Sequence, residues 1–174
     1  MLDCGSQCLV CAVPVRFDTY KGCLHGCTYC FVSKKSDISK VEKDNCLKSL
    51  ESFLQGKRTK NTNWVDWNIP LHFGGLSDPL QPIELRERLT LKAFELFAKY
   101  NYPFILSTKA PQMLLRAEYK EVLKKCNCVL QISAVSPKNN KIEPNCIPYE
   151  KRIEVAGEIS KAEIVKRIII RAQP

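Results

Sequence analysis

The 174-residue sequence lacks the segments that direct a protein into or across a membrane. No stretch approaches the ~18 consecutive apolar residues of a membrane-spanning helix. Its first residues, MLDCGSQCLVC, have neither the basic start nor the apolar run of a secretory signal. No internal repeat, low-complexity segment or Gly/Ser-rich linker divides the chain. We therefore expect a soluble, cytoplasmic domain large enough to bury a real core.

Cysteine is abundant by contrast, with ten residues in the chain. In a secreted protein this number would predict disulfides, but without a secretory signal clustered cysteines indicate metal or redox chemistry. The net charge of +9 at pH 7 favours an anionic partner, and nucleic acid is the leading candidate. The alternative is that lysines on exposed helix surfaces, such as those within residues 34–60, only aid solubility.

Apolar patterning predicts strands that alternate with helices. The predicted strands span residues 15–20, 69–75, 103–108, 129–135 and 164–172, and the predicted helices span residues 38–55, 83–100, 111–125 and 148–160. This order predicts an α/β fold with right-handed βαβ units and a parallel sheet of five strands. In the last strand, Ile168, Ile169 and Ile170 are consecutive, which is typical of a strand buried on both faces.

Chemically informative residues follow four successive predicted strands. These segments are the cysteine loop at residues 21–31, GGLSDP (74–79), STKAP (107–111) and SAVSP (133–137). Because parallel sheets carry their functional residues at the carboxyl ends of strands, this recurrence predicts one site at that edge of the sheet.

The cysteine loop places Cys23, Cys27 and Cys30 within eight residues at the spacing C-x3-C-x2-C. Soft thiolates select zinc, copper(I) or iron–sulfur clusters. Three ligands around a four-iron cluster leave one iron open, as a catalytic site requires, whereas a closed structural zinc site needs a fourth ligand. His25 lies inside the loop, and we interpret it as a packing residue. The alternative function is a non-enzymatic zinc-binding module that binds nucleic acid through its basic surface.

The segment GCLHGCTYCF (22–31) resembles the signature of radical S-adenosylmethionine (SAM) enzymes, C-x3-C-x-aromatic-C after the first strand of a partial (β/α) barrel. FGGLSDPLQPIE (73–84), STKAP, SAVSP and IEPNCIPYEKRIE (142–154) resemble the spore photoproduct lyase-like branch, often labelled DNA repair photolyases. The resemblance covers about residues 15–172. It implies a radical SAM enzyme, such as a lyase, whose substrate the sequence does not identify and for which nucleic acid is a candidate.

Barrels of that family usually have six strands, whereas five are predicted here. The resemblance therefore implies either a fragment of a longer protein or a last strand whose edge needs covering. We expect a chain with such an edge to be catalytically poor or prone to aggregation by itself.

The resemblance also implies cofactors and site residues. In that family three cysteines hold a [4Fe-4S] cluster, the open iron binds SAM, and one electron cleaves SAM to methionine and a 5′-deoxyadenosyl radical. It implies Cys23, Cys27 and Cys30 as cluster ligands, and a flavodoxin or ferredoxin as electron donor. The residues that it implies for SAM binding are Tyr29, Gly74, Gly75, Ser77, Asp78, Lys109 and Ser133.

Within that set, the family pattern assigns Tyr29 to the adenine and the glycine-rich strand end to the methionine amino group. Leu76 occupies the usual acidic position, so that contact falls to backbone, Ser77 or Asp78. Lys109 and Ser133 match positions for the SAM carboxylate, to which a lysine offers a point charge. The alternatives are a solvated loop lysine and, at positions 77 and 78, ordinary turn chemistry before a proline.

A second triad, Cys4, Cys8 and Cys11, repeats the same spacing within an N-terminal segment, residues 1–14, that precedes the core at residues 15–174. Val10 replaces the aromatic residue, so we assign the cluster to the other triad. The first triad is expected to be either an independent zinc or iron–sulfur site or three unligated thiols. An extended strand rises about 3.3 Å per residue, which should keep the triads too far apart to share one cluster. The remaining cysteines are interpreted as small buried hydrophobes: Cys46, Cys126, Cys128 and Cys146.

Overall fold

The computed structural model describes residues 2–4, 15–34, 37–63, 65, 69–134 and 136–171. Its strands are β1 (Leu2–Cys4), β2 (Val15–Phe17), β3 (Tyr20–Lys21), β4 (Glu42–Lys43), β5 (Leu71–Phe73), β6 (Phe104–Thr108), β7 (Cys128–Ser133) and β8 (Arg167–Arg171). Its α-helices are α1 (Leu47–Leu54), α2 (Glu84–Glu87), α3 (Leu89–Tyr100), α4 (Ala117–Leu123) and α5 (Tyr149–Lys161). No helix in these described ranges is long and apolar enough to cross a membrane.

One sheet organises these elements, with the strand order β1-β2-β5-β6-β7-β8. Strands β2, β5, β6, β7 and β8 are parallel, which confirms the five predicted parallel strands. β1 joins them antiparallel to β2, with Cys4 opposite Val15 at the amino end of β2. β3 and β4 form a separate antiparallel pair beside the cysteine loop.

Alternate residues of the central strands point into an apolar core. Phe73 of β5 lies against Phe94 and Phe97 of α3, with ring centroids 5.9 and 6.0 Å apart. Phe17 of β2 approaches Phe73 at 4.9 Å. Since successive side chains of a strand point to opposite faces, half-buried residues such as His72 lie on the other face of the sheet. Polar residues therefore lie on the face of the sheet opposite the apolar core.

A buried carboxylate, Glu84, determines where α3 begins. It accepts hydrogen bonds from the backbone N–H groups of Thr90 at 2.9 Å and Leu91 at 3.0 Å, and from the Tyr119 hydroxyl at 2.7 Å. Arg88, with φ of 52°, separates α2 from α3. The prediction of one continuous helix over residues 83–100 is therefore wrong, because the chain breaks at Arg88 and the Glu84 side chain caps the second helix.

Three other predictions need correction. The helix predicted over residues 38–55 begins at Leu47, because residues 42 and 43 instead pair with β3 as strand β4. The helix predicted from Pro111 to Lys125 is a 3-10 helix, Pro111–Leu115, followed by α4. Ile169 and Ile170 are 41% and 43% exposed rather than buried on both faces, because β8 lies at one end of the sheet as described.

Candidate active site

The cysteine loop is anchored through its backbone. Cys23 N–H donates to the carbonyl of Ile38 at 2.9 Å, and Thr28 N–H donates to that of Ile142 at 3.0 Å. Gly22, with φ of 78°, begins the loop where a Cβ atom would lie 2.4 Å from the carbonyl oxygen of Lys40. Hydrogen bonds to segments distant in sequence thus hold the loop against the carboxyl edge of the sheet.

All residues predicted for the site line one cavity of about 430 Å³. They come from the cysteine loop and from the segments that follow β5, β6 and β7: Cys23, Cys27, Tyr29, Cys30, Gly74, Gly75, Ser77, Asp78, Lys109 and Ser133. A cavity of this size is suited to a small organic ligand. The structure thus brings together residues more than 100 positions apart in the sequence.

Close backbone approach explains the glycine at the end of β5. Gly74 has φ of 92°, and a Cβ atom there would lie 2.5 Å from the carbonyl oxygen of Ser107. Its N–H donates to the carbonyl of Phe17 at 3.0 Å. Only glycine combines this backbone conformation with such a short distance to the neighbouring strand.

Asp18, which the sequence analysis missed, orders the segment after Gly75. Its Oδ1 accepts from the N–H groups of Leu76 at 3.0 Å and Ser77 at 3.1 Å. Burial raises the pKa of Asp18 to about 6 in spite of these two bonds. The Ser77 hydroxyl donates to the carbonyl of Gly22 at 2.8 Å, which ties the same segment to the cysteine loop.

Asp78 joins three parts of the site. Its carboxylate accepts from Thr108 Oγ1 at 2.8 Å and from the Lys109 N–H at 2.7 Å, and it lies 2.9 Å from Nε2 of His25. Burial opposes its ionisation, but His25 and the other donors outweigh burial and lower the pKa of Asp78. His25 is 4% exposed, so it packs inside the loop as predicted.

A buried ion pair supports the aromatic residue of the cysteine motif. The Tyr29 hydroxyl donates to Glu143, whose other oxygen lies 2.6 Å from Nη2 of Arg152. Arg152 also donates from Nη1 to the carbonyl of Ser133 at 2.8 Å. In the sequence, Glu143 and Arg152 were not identified as site residues, because nothing there distinguishes them from solvent-exposed charges. The ion pair thus links Tyr29 to the end of β7.

The thiols of the site differ in acidity. Burial raises the pKa of Cys23 to about 11. A hydrogen bond with the Cys146 thiol lowers the pKa of Cys27 to about 6 against the effect of burial, and the Lys109 cation contributes. Cys46, Cys126 and Cys128 are buried as predicted, but Cys146 is half-buried beside Cys27.

The donor set of the cavity fits an iron–sulfur cluster. Cys23, Cys27 and Cys30 are free thiols that line the same space. Within the described part of the chain, no three His, Cys, Asp or Glu residues are grouped so as to hold one metal ion. A cluster does not need that grouping, because each thiolate binds a different iron.

The predicted second metal site receives no support. Cys8 and Cys11 lie outside the described residues, and only the backbone of Cys4 is described. That backbone lies at the amino end of β2, whereas the cysteine loop begins beyond the carboxyl end of the same strand.

Comparison with solved structures shows the fold. The chain is similar to a spore photoproduct lyase complexed with dinucleoside spore photoproduct, with 15% identity and a TM-score of 0.69 over 98% of this chain and 46% of that chain. It is similar to native anSMEcpe with bound AdoMet, with 20% identity and a TM-score of 0.57 over 90% of this chain and 42% of that chain. No protein-family model and no curated protein matches the sequence.

These likenesses confirm the predicted partial (β/α) barrel of the radical SAM type and, at the level of the fold, the resemblance to the spore photoproduct lyase-like branch. The chain spans less than half the length of these neighbours.

Proposed function

We propose that this chain is the SAM-binding core of a radical SAM enzyme. The observation that carries the proposal is one cavity at the carboxyl ends of the parallel strands, lined by the cysteine triad and by every residue predicted to bind SAM. AdoMet bound to anSMEcpe, a structure of the same fold, supports the choice of ligand. When bound, the cluster would supply the electron that cleaves SAM to methionine and a 5′-deoxyadenosyl radical.

The chain's own residues would hold and orient these groups. Cys23, Cys27 and Cys30 would bind the cluster as thiolates. Lys109, half-buried at the end of β6, would place its cation against the SAM carboxylate, and Ser133 at the end of β7 would add a hydrogen bond. Tyr29, held through Glu143, would contact the adenine.

Ser77 and Asp78 would shape the site rather than contact SAM. The Ser77 hydroxyl already donates to Gly22 and accepts from Gln81 Nε2 at 2.9 Å. The Asp78 oxygens are engaged by His25, Thr108 and backbone N–H groups. We therefore assign the methionine amino group to the backbone carbonyls that follow β5, at Gly74 and Gly75, both of which line the cavity.

A nucleic acid is the substrate class we propose, with DNA repair by a lyase-type reaction as the biological setting. The net charge of +9 supports an anionic substrate. A structure of the same fold is complexed with a dinucleoside spore photoproduct. A flavodoxin or ferredoxin would be the electron donor.

Anaerobic reconstitution tests the function. The chain is incubated with iron and sulfide, reduced with dithionite in the presence of SAM, and assayed for bound iron and for 5′-deoxyadenosine. We expect about four irons per chain, a brown colour and nucleoside release. Cys27→Ala should lose both the cluster and SAM cleavage, whereas Cys126→Ala, which removes a buried thiol outside the cavity, should retain both.

Two outcomes would contradict the proposal. A colourless protein that binds zinc instead of iron would favour the zinc-binding nucleic-acid module. Wild-type release of 5′-deoxyadenosine by Cys27→Ala would show that the cysteine loop is not the site of the chemistry.

A further inference from the structure

An exposed aromatic ring lines the cavity and is not among the residues assigned to SAM. Phe31 directly follows Cys30, lines the cavity and is 58% exposed. It is the most exposed of the large hydrophobic residues in the described ranges. A single exposed apolar residue is ordinary on a protein surface, so its position beside a charged cavity is what makes it informative.

Apart from the cysteine thiols assigned to the cluster, the accessible charged side chains of this cavity are cations. Asp78 is the one carboxylate among the described lining residues, and it is buried and engaged by several donors. Lys109 is half-buried, and Arg171 is exposed at the carboxyl end of β8. A ligand that reaches this cavity from solvent therefore meets cations, and an anion is the complementary partner.

Neutral hydrogen-bonding groups lie between Arg171 and the glycine-rich segment. Ser107 Oγ lies 2.8 Å from Nε2 of His72 and accepts from Gln131 Nε2 at 3.0 Å. Burial, aided by Arg171, lowers the pKa of His72, so its ring is neutral. The row of side chains across β5, β6 and β7 thus offers polar contacts without a negative charge.

We propose that the mouth of the cavity binds one unpaired nucleotide of a single-stranded nucleic acid, with its base stacked on Phe31 and an adjacent phosphate on Arg171. Base–aromatic stacking combined with a cationic groove is how proteins bind single strands. A paired base is already stacked within a duplex, so this site favours a strand with unpaired bases. The inference rests on the proposed function in one respect, because the bound nucleotide would be the substrate of the radical.

Fluorescence anisotropy tests the site with labelled twelve-nucleotide single-stranded DNA, single-stranded RNA and the corresponding DNA duplex. Phe31→Ala should weaken single-strand binding about 5- to 150-fold, the range for loss of one stacked base. Phe31→Trp, which keeps an aromatic face, should restore it, and Phe31→Leu should not. Leu85→Ala, which truncates an exposed residue outside the cavity lining, should bind as the wild type does.

The phosphate contact has its own matched pair of variants. Arg171→Gln should reduce the slope of log affinity against log salt by about one. Arg167→Gln removes the same charge four residues earlier on β8, about 13 Å away on the same face, and should leave the slope unchanged. Far-UV circular dichroism confirms that each variant is folded.

Two results would overturn the inference by showing that binding depends on charge alone. One is equal affinity for single strand and duplex, and the other is displacement of the oligonucleotide by polyglutamate at equal charge concentration. Release of 5′-deoxyadenosine by the wild type, measured in parallel, separates the two proposals. SAM cleavage without oligonucleotide binding refutes this inference and leaves the proposed function standing. Binding that depends on Phe31 without any SAM cleavage refutes the proposed function and leaves a single-strand site.

Discussion

Replacing Arg152 with methionine should destabilise the fold severely. The guanidinium is 1% exposed, lies 2.6 Å from Glu143, and donates to the carbonyls of Ser133 and Ile147, each at 2.8 Å. Methionine keeps much of the length but removes the charge and all donors, so the Glu143 carboxylate, 3% exposed, stays buried without a counter-charge. Breaking a buried pair in this way costs about 3–5 kcal/mol, against a total stability of about 5–15 kcal/mol.

Urea unfolding followed by far-UV circular dichroism measures this loss. The matched control is Arg116→Met, because Nε of Arg116 lies 3.2 Å from Glu118 at an exposed position. An exposed pair of this kind contributes about 0–1 kcal/mol. The double variant Arg152→Met/Glu143→Gln should recover about 1–3 kcal/mol relative to Arg152→Met, because it removes the uncompensated charge.

An unfolding free energy of Arg152→Met within about 1 kcal/mol of the wild-type value would refute this expectation, since burying a carboxylate without its partner destabilises a fold by more than that. Absence of recovery in the double variant would place the loss in the packing of the Arg152 stem instead. Because Glu143 also accepts from the Tyr29 hydroxyl, Arg152→Met should additionally weaken SAM binding by the protein that remains folded.

Three further changes probe the site. Gly74→Ala should destabilise the chain by about 1–2 kcal/mol or more, because Gly74 has φ of 92° and a Cβ atom there would lie 2.5 Å from the neighbouring strand. Gly157→Ala, which has open space around it in α5, should instead stabilise the chain by about 0.5–1 kcal/mol, and thermal unfolding compares the two variants. Burial raises the pKa of Asp18 from 3.8 to about 6, so its protonated carboxyl stabilises the fold below about pH 4 and this stabilisation is lost as pH rises through 6. The free energy of unfolding of Asp18→Asn should therefore exceed that of the wild type by about 3 kcal/mol at pH 8 and match it at pH 4, and equal pH profiles would refute this. Lys109→Met should weaken SAM binding about tenfold or more, measured by calorimetry, while the iron content stays unchanged. Lys99→Met, which removes an exposed lysine paired with Glu51, should leave SAM binding unchanged.

The sequence predicted the sheet and the edge where the site lies, because both depend on local patterns. Alternation of apolar runs located the five parallel strands, and motifs after successive strands located the cavity. Glycine at position 74 and the three cysteines of the loop carry their signals in residue type and spacing. These features needed no knowledge of which segments meet in space.

The remaining features depend on contacts between distant segments, which a single sequence does not reveal. Glu84, the first residue of α2, is held by the distant Tyr119 hydroxyl while it caps α3 at Thr90 and Leu91, and no glycine or proline marks the break between the two helices. Residues 42 and 43 form a strand because β3 is beside them. Glu143 and Arg152 look like surface charges until the fold buries them against each other.

The sheet is held unequally along its width. β2 and β5 are in register at two positions, whereas β6 pairs with β7, and β7 with β8, at five positions each. Opening the first junction breaks few hydrogen bonds, so its amides should exchange with solvent deuterium sooner than those of β6 and β7. The cavity spans both halves, with the cysteine loop on the weakly paired side and Lys109 and Ser133 on the other. A ligand that contacts both sides would connect the two halves of the sheet, and its binding should slow amide hydrogen exchange chiefly in β2 and β5.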